Sequence, residues 1–160
     1  MKPGDVVLVD TNVIIEAHEY GCWQSLVGAY TVETVETCVV EAMTGEGQRF
    51  DEANLRQSFH RIHEVSEAEL VEVALRNGQG LDAGERALWA HALGRADTWV
   101  LCGPDRASMR FGYEQKMRDR VVSMGGLLNT INHRTVRPLR PHFEQKWLEE
   151  VMVKLALGIL

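Results

Sequence analysis

The 160-residue sequence holds only three cysteines, Cys22, Cys38 and Cys102, and none forms a CxxC pair. An odd number of scattered thiols does not make a disulfide framework, so the three are read as small, buried or half-buried apolar residues. A zinc site needs closely spaced Cys and His. Only His60 and His63 lie near each other, with no Cys beside them, and that pair reads as a strand edge or surface. No apolar stretch approaches the roughly 18 residues that a membrane span requires. Met1-Lys2 leads almost at once into Val6-Val7-Leu8-Val9 without the extended apolar region of a signal peptide, so a cytoplasmic location is expected. Internal repeats and low-complexity tracts are also lacking. One domain over residues 1–160 is expected, ending in a helix at about 142–157.

Apolar residues make up 45% of the chain and charged residues 25%, as in a folded globular protein. The net charge of −6 is unevenly spread. Residues 1–94 carry 6 basic and 16 acidic groups, whereas residues 95–140 carry 9 basic and 4 acidic. A basic segment following an acidic one is compatible with a polyanionic partner and also with ordinary surface charge.

Short apolar runs without clean alternation recur along the chain at Val6–Val9, Thr98–Cys102 and Val121–Met124. Tyr30–Val32 and Arg61–Val65 read as further short strands. Helical patterns separate them, at Val13–His18, Val35–Met43, Arg49–Phe59, Ser66 to Asn77, Ala83–Leu93 and Arg106–Phe111, with Gly45 and Gly47 marking a loop. Buried strands alternating with helices predict an α/β fold, a three-layer α/β/α sandwich with a short, mainly parallel sheet.

Two strand-like runs are followed by an aspartate, Asp10 directly after the first and Asp105 after Gly103-Pro104. In open α/β sheets, sites form beyond the carboxyl ends of strands, so these two ends are candidates for one crevice. Asp82 and Glu85 stand three residues apart at the start of a helix, and Glu41 sits within an otherwise apolar helical stretch. Carboxylates gathered together repel and raise one another's pKa. A hard divalent cation reverses that balance, and Mg²⁺ prefers such oxygens. Each residue also has a plainer reading. Asp10, Asp82 and Asp105 can be helix N-caps, Glu85 a capping-box partner and Glu41 a surface residue. Arg106, Arg110, Lys116, Arg118 and Arg120 are phosphate contacts or a solvated face. Trp89 and Trp99 read as core, Trp23 as a candidate interface residue and His18 as structural or exposed.

Val7-Leu8-Val9-Asp10-Thr11-Asn12-Val13-Ile14 resembles the opening motif of PIN domains, as in VapC-type toxins. Cys38-Val39-Val40-Glu41-Ala42 is similar to that family's second acidic region. Leu81-Asp82-Ala83-Gly84-Glu85 resembles the D-x-G-E start of the third region in one subgroup, and Trp99 to Asp105 resembles the strand that ends in the fourth. Val121 to Leu128 is similar to the subgroup's last strand, turn and helix, so the resemblance covers most of the chain to about Leu128. It implies a ribonuclease dependent on Mg²⁺ or Mn²⁺. Asp10, Glu41, Glu85 (or Asp82) and Asp105 would be metal ligands or water-orienting groups, with Thr11 auxiliary, leaving a 5′-phosphate and a 3′-hydroxyl. It further implies an antitoxin partner and a homodimer, for which the apolar face of the last helix is a candidate contact. Gly103-Pro104 departs from the family, where Thr and a polar residue commonly precede the last Asp.

A haloacid-dehalogenase-type phosphatase would need a second Asp where this chain has Asn12. A response-regulator receiver would need Lys at a late strand end, and none of the three buried runs ends in one. A PIN-like scaffold that binds RNA or a protein without cutting is the non-enzymatic alternative.

Overall fold

A computed structural model describes residues 1–45 and 50–160. Five parallel strands form one sheet in the order β3-β2-β1-β4-β5. They are β1 (Val6–Val9), β2 (Thr31–Val35), β3 (Arg61–His63), β4 (Trp99–Cys102) and β5 (Val121–Val122). Among the described residues, nine α-helices flank the sheet, giving the expected three-layer α/β/α arrangement. β1 and β4 are the central pair, with Val6 opposite Trp99 and Val9 opposite Cys102. Their β-branched and apolar side chains are buried almost throughout, because a strand covered on both sides has no solvent face to leave polar.

The strand order determines where a site can form. From β1 the chain steps outward to β2 and β3, then returns across the sheet to place β4 on the other side of β1. The connections leaving β1 and β4 therefore diverge, and a crevice opens beyond those two carboxyl ends. Three helices start there or nearby: α1 (Thr11–Glu19), α6 (Ala83–Leu93) and α7 (Arg106–Glu114). A fourth, α3 (Glu36–Thr44), follows β2 and packs against both α1 and α6.

Local chemistry explains most boundaries. Ser66 and Glu69 form a reciprocal capping box at the start of α5 (Glu67–Leu75), and Asn77 ends that segment in the left-handed region at φ 66°, where Asn is tolerated better than most residues. The helix expected from Arg49 begins at Glu52, capped by Asp51; Gly47 and Arg49 lie outside the described residues. β2 runs to Val35, further than expected, and α3 starts after it.

The last helix is α9 (Gln145–Ala156), preceded by a 3-10 turn at Pro141–Phe143. Its apolar face is not free for a second subunit. Leu148, Val151, Met152 and Leu155 are buried, with α9 packed on α7 and α8 (Met124–Thr130). Val153 and Leu157 remain exposed. Trp23 is likewise no surface anchor: it is 2% exposed and donates its indole N–H to Ser58 Oγ. No helix among the described residues is long and apolar enough to cross a membrane.

Candidate functional site

Asp10 follows β1 without an intervening residue and is 3% exposed. Its backbone N–H donates to Cys102 O at 3.2 Å, which extends the β1–β4 ladder to the edge of the crevice. Oδ1 accepts from the Val13 N–H at 2.9 Å and caps α1. The capping reading is thus correct for one oxygen only. Oδ2 lies over Gly103, where a Cβ would come within 3.2 Å of it. A side chain at 103 would press on the carboxylate, a local reason for glycine after β4. Burial, reinforced by Asp82 and Asp105, raises the Asp10 carboxyl to about 7, against the opposing pull of the Val13 N–H.

Asp82 and Glu85 divide their roles. Asp82 Oδ1 accepts from Glu85 N–H at 2.8 Å, and Asp82 N–H donates to Glu85 Oε2 at 3.2 Å, completing a capping box. Asp82 is exposed, whereas Glu85 is 4% exposed. Among the described residues Glu85 Oε1 is buried with no hydrogen-bond partner. Burial first, then Asp105, Asp82 and Asp10, pushes this carboxyl up to about 8. Leaving such an oxygen unmatched is costly, so the position suits a cation or a proton better than a purely structural role.

Glu41 reaches the same place from α3. Thr11 Oγ1 donates to Glu41 Oε2 at 2.7 Å. That oxygen passes so close to α6 that a Cβ on Gly84 would sit 2.5 Å from it. Cys38 Sγ makes a second contact across the same gap, to Gly84 O at 3.7 Å. The glycine between Asp82 and Glu85 is therefore the gap through which the Glu41 carboxylate approaches the helix start. Asp105 is exposed, and its Oδ1 caps α7 through the Ala107 N–H at 2.6 Å.

Four elements thus bring Asp10, Glu41, Glu85 and Asp105 to one end of the sheet, with Thr11 and Asp82 between them. The arrangement is open: among the described residues no three of these carboxylates place oxygens within 4.8 Å of one another, and the single group that does so lies elsewhere. As a donor set it fits a hard divalent cation, being all oxygen, with two buried carboxyls held near neutral pH and one orphaned oxygen.

The tight group is Glu33, His63 and His91, of which Glu33 and His91 carry no signal in the sequence because their partners come from other elements. Glu33 Oε2 accepts from Arg95 Nη1 and meets His63 Nε2, both at 2.6 Å, while Arg95 Nη1 also donates to His91 Nε2 at 2.9 Å. The two imidazoles stack at 3.8 Å with 23° between their planes. Ring nitrogens bind metals in the ring plane at about 2.0–2.1 Å, and nearly parallel rings do not aim both lone pairs at one ion. Arg95 supplies the positive charge instead, and Asp97 anchors its other nitrogens. Burial favours a protonated Glu33, but His63 and Arg95 outweigh it and hold the carboxyl below its ordinary value. Burial, then His63 and Arg95, lowers His91 to about 4. This network is a structural tie among β2, β3 and α6.

The basic residues separate. Arg106 and Arg110, four apart on α7, share a face. Arg106 is beside Asp105, and Arg110 borders a groove with Leu81, next to Asp82. Lys116 follows the far end of α7, about 15 Å along the helix from Asp105. Arg120 stacks on Trp99 at 4.8 Å and donates to Trp99 O, a structural role. Arg118 is exposed and lies 3.8 Å from Asp119. Trp89 and Trp99 are core residues, 0% and 3% exposed. His18 is structural, stacked on Trp23 and donating from Nδ1 to Ile14 O at 2.7 Å. Comparison with protein-family models and with curated proteins finds no match for this chain.

Proposed function

We propose that this chain is a metal-dependent ribonuclease of the PIN-domain type that hydrolyses RNA phosphodiester bonds. The observation that carries the reading is the meeting of Asp10, Glu41, Glu85 and Asp105 at the crevice between β1 and β4, with a buried oxygen of Glu85 left unmatched. The order of the four acidic regions along the chain, which resembles that family, supports it.

Asp10, Glu85 and Asp105 would hold Mg²⁺ or Mn²⁺. When bound there, the ion would acidify a water and offset the charge that builds on a phosphodiester under in-line attack. The protein's part is positioning. The Val13 N–H fixes the Asp10 carboxylate by one oxygen and leaves the other available. The Asp82 N–H does the same for Glu85. The Thr11 hydroxyl holds Glu41 against α6, where it can orient water. Asp82 serves as the cap that keeps Glu85 in place. By the same resemblance, the products are a 5′-phosphate and a 3′-hydroxyl, and the protein serves as the toxin of a toxin–antitoxin pair, with an antitoxin covering the crevice and a homodimer as the assembled form; the N-terminal sequence supports a cytoplasmic location.

The test is cleavage of single-stranded RNA by the purified chain in Mg²⁺ or Mn²⁺ against EDTA, with end-group analysis of the products. Asp10→Asn, Glu85→Gln and Asp105→Asn are each expected to lower cleavage by 100-fold or more while remaining folded. A chain that cuts no RNA with either ion, and whose RNA binding none of these changes alters, is a non-cutting scaffold instead.

A further inference from the structure

A cleft of about 500 Å³ opens beside the carboxylate cluster, with Asn12, Asp105, Arg106, His142 and Trp147 in its walls. That volume is typical of a small-ligand site. Asp105 belongs to both places, so the cleft continues the crevice. Trp147, in the first turn of α9, is half-buried, whereas Trp23, Trp89 and Trp99 are 2%, 0% and 3% exposed. The fold has therefore enclosed three of its indoles and left one partly exposed, in a cleft whose walls also include Pro104 and Pro141. His142 closes one side of it, with ring centres 6.2 Å apart and nearly edge-on.

Across the cleft, the Arg106 guanidinium lies 5.7 Å from the centre of the Trp147 ring. Guanidinium, base and indole stacked in sequence need about 7 Å, at roughly 3.4 Å per layer. Arg106 is exposed, and a movement of about an ångström opens that gap. Arg106 forms no ion pair among the described residues, whereas Arg137 and Arg140 are engaged by Glu16 and Glu19. Its donors are therefore available to a phosphate.

We propose that this cleft is a nucleotide slot: an unpaired base of a single-stranded nucleic acid stacks on Trp147 while Arg106 holds the adjoining phosphate, so that the strand passes Asp105 into the carboxylate cluster. The choice of nucleic acid rests on the ribonuclease reading; the slot itself rests on the cleft, the partly exposed indole and a guanidinium with no ion pair among the described residues. Stacking on an aromatic needs a base whose face is uncovered, so the slot selects single strands over duplexes.

The experiment is a titration of the full chain with a short oligoadenylate in EDTA at low salt, followed by tryptophan fluorescence. Because the other three indoles are enclosed, quenching reports Trp147. Saturable quenching by the single strand, and none by a duplex of the same length, is expected. Trp147→Leu abolishes the quench and weakens binding about 10-fold or more, and Trp147→Phe restores part of the affinity. Arg106→Gln, on an exposed site that does not threaten folding, weakens binding and reduces the log–log salt slope by about 0.7. Wild-type protein that shows no quench at millimolar oligonucleotide overturns the slot, as does a folded Trp147→Leu chain with wild-type affinity. Cleavage is not involved in these readings. Quenching without ribonuclease activity would sink only the catalytic reading, and cleavage without quenching would sink only the slot.

Discussion

Replacing Asp10 with Asn separates stability from function in opposite directions. The folded chain holds the Asp10 proton to about pH 7 instead of the ordinary 3.8, and Glu85 is raised to about 8. Between about pH 4 and 8 the folded protein thus binds protons that the unfolded chain has released. Without a divalent ion its stability is greatest on the acid side of that range, falls as the pH rises through it, and levels off once both groups are ionised. At about 1.4 kcal/mol per pH unit, the ionised Asp10 costs about 4 kcal/mol at pH 8. Asn removes that charge, keeps an oxygen for the Val13 N–H, and turns an NH₂ toward carboxylate neighbours. In EDTA at pH 8, Asp10→Asn is expected to be more stable than wild type by about 2–4 kcal/mol, a rise in Tm of about 5–10 °C. Millimolar Mn²⁺ then raises the wild-type Tm and leaves the variant unmoved, since only the intact cluster gains from a bound cation. Urea and thermal melts at pH 5, 6.5 and 8, with and without Mn²⁺, measure the stabilities and the Tm shifts. A variant less stable than wild type in EDTA, together with a wild-type Tm indifferent to Mn²⁺, refutes both the electrostatic account and the metal site.

Gly84→Ala should leave stability within about 1 kcal/mol, because Ala favours the helix, the nearest atom it meets is the movable end of Glu41, and Cys38 Sγ at 3.3 Å need give only a few tenths of an ångström. It should displace that carboxylate from Thr11 and lower metal-dependent cleavage at least 10-fold, as single-turnover assays would show. Asp82→Ala should cost about 1 kcal/mol through the lost cap, and Asp82→Asn should restore it. If Asp82 is a cap and no more, Asp82→Asn keeps the cleavage rate that Glu85→Gln loses; equal losses would make Asp82 a ligand. Arg95→Met should destabilise by about 3 kcal/mol, since it leaves the nearly buried Glu33 with His63 alone, yet leave RNA cleavage per folded molecule unchanged. A metal-binding role for Glu33, His63 and His91 would instead show as a Zn²⁺-dependent rise in Tm in that variant.

The central strands were legible because a parallel strand buried on both faces must be an uninterrupted apolar run, and Val6–Val9 and Trp99–Cys102 are such runs. β2 was legible only as far as Val32. Glu33 breaks its apolar pattern, and what makes a carboxylate tolerable there is His63 and Arg95, 30 and 62 residues away. Strand order, which creates the crevice, leaves no local trace at all. Asp10, Glu85 and Asp105 were legible through their positions after strands or at helix starts, and Glu41 as a carboxylate within an apolar helix. The third acidic region was readable only as a pair, because the capping-box spacing says nothing of which carboxylate faces the crevice; in the fold Glu85 is buried and Asp82 exposed.

Trp147 shows the limit most clearly. In an amphipathic helix an aromatic residue reads as part of the apolar face, and α9 does bury Leu148, Val151, Met152 and Leu155. Trp147 lies at the edge of that stripe, where the 3-10 turn at Pro141–Phe143 and the start of α7 leave a gap beside it. The sheet could be covered without exposing an indole, as the other three tryptophans demonstrate. Residues 95–140, the basic part of the chain, supply Arg106 to the opposite wall of that gap, and the acidic part supplies Asp10, Glu41 and Glu85 beyond it. Of the basic residues in that segment only Arg106 lines this cleft, next to the acidic Asp105. On the proposed reading, a phosphate strand held by Arg106 would be brought to carboxylates that repel it unless a cation lay between. Binding of RNA should therefore strengthen when Mg²⁺ is added to the wild type but not to Asp10→Asn, and an equal response in both would mean that the two regions act independently.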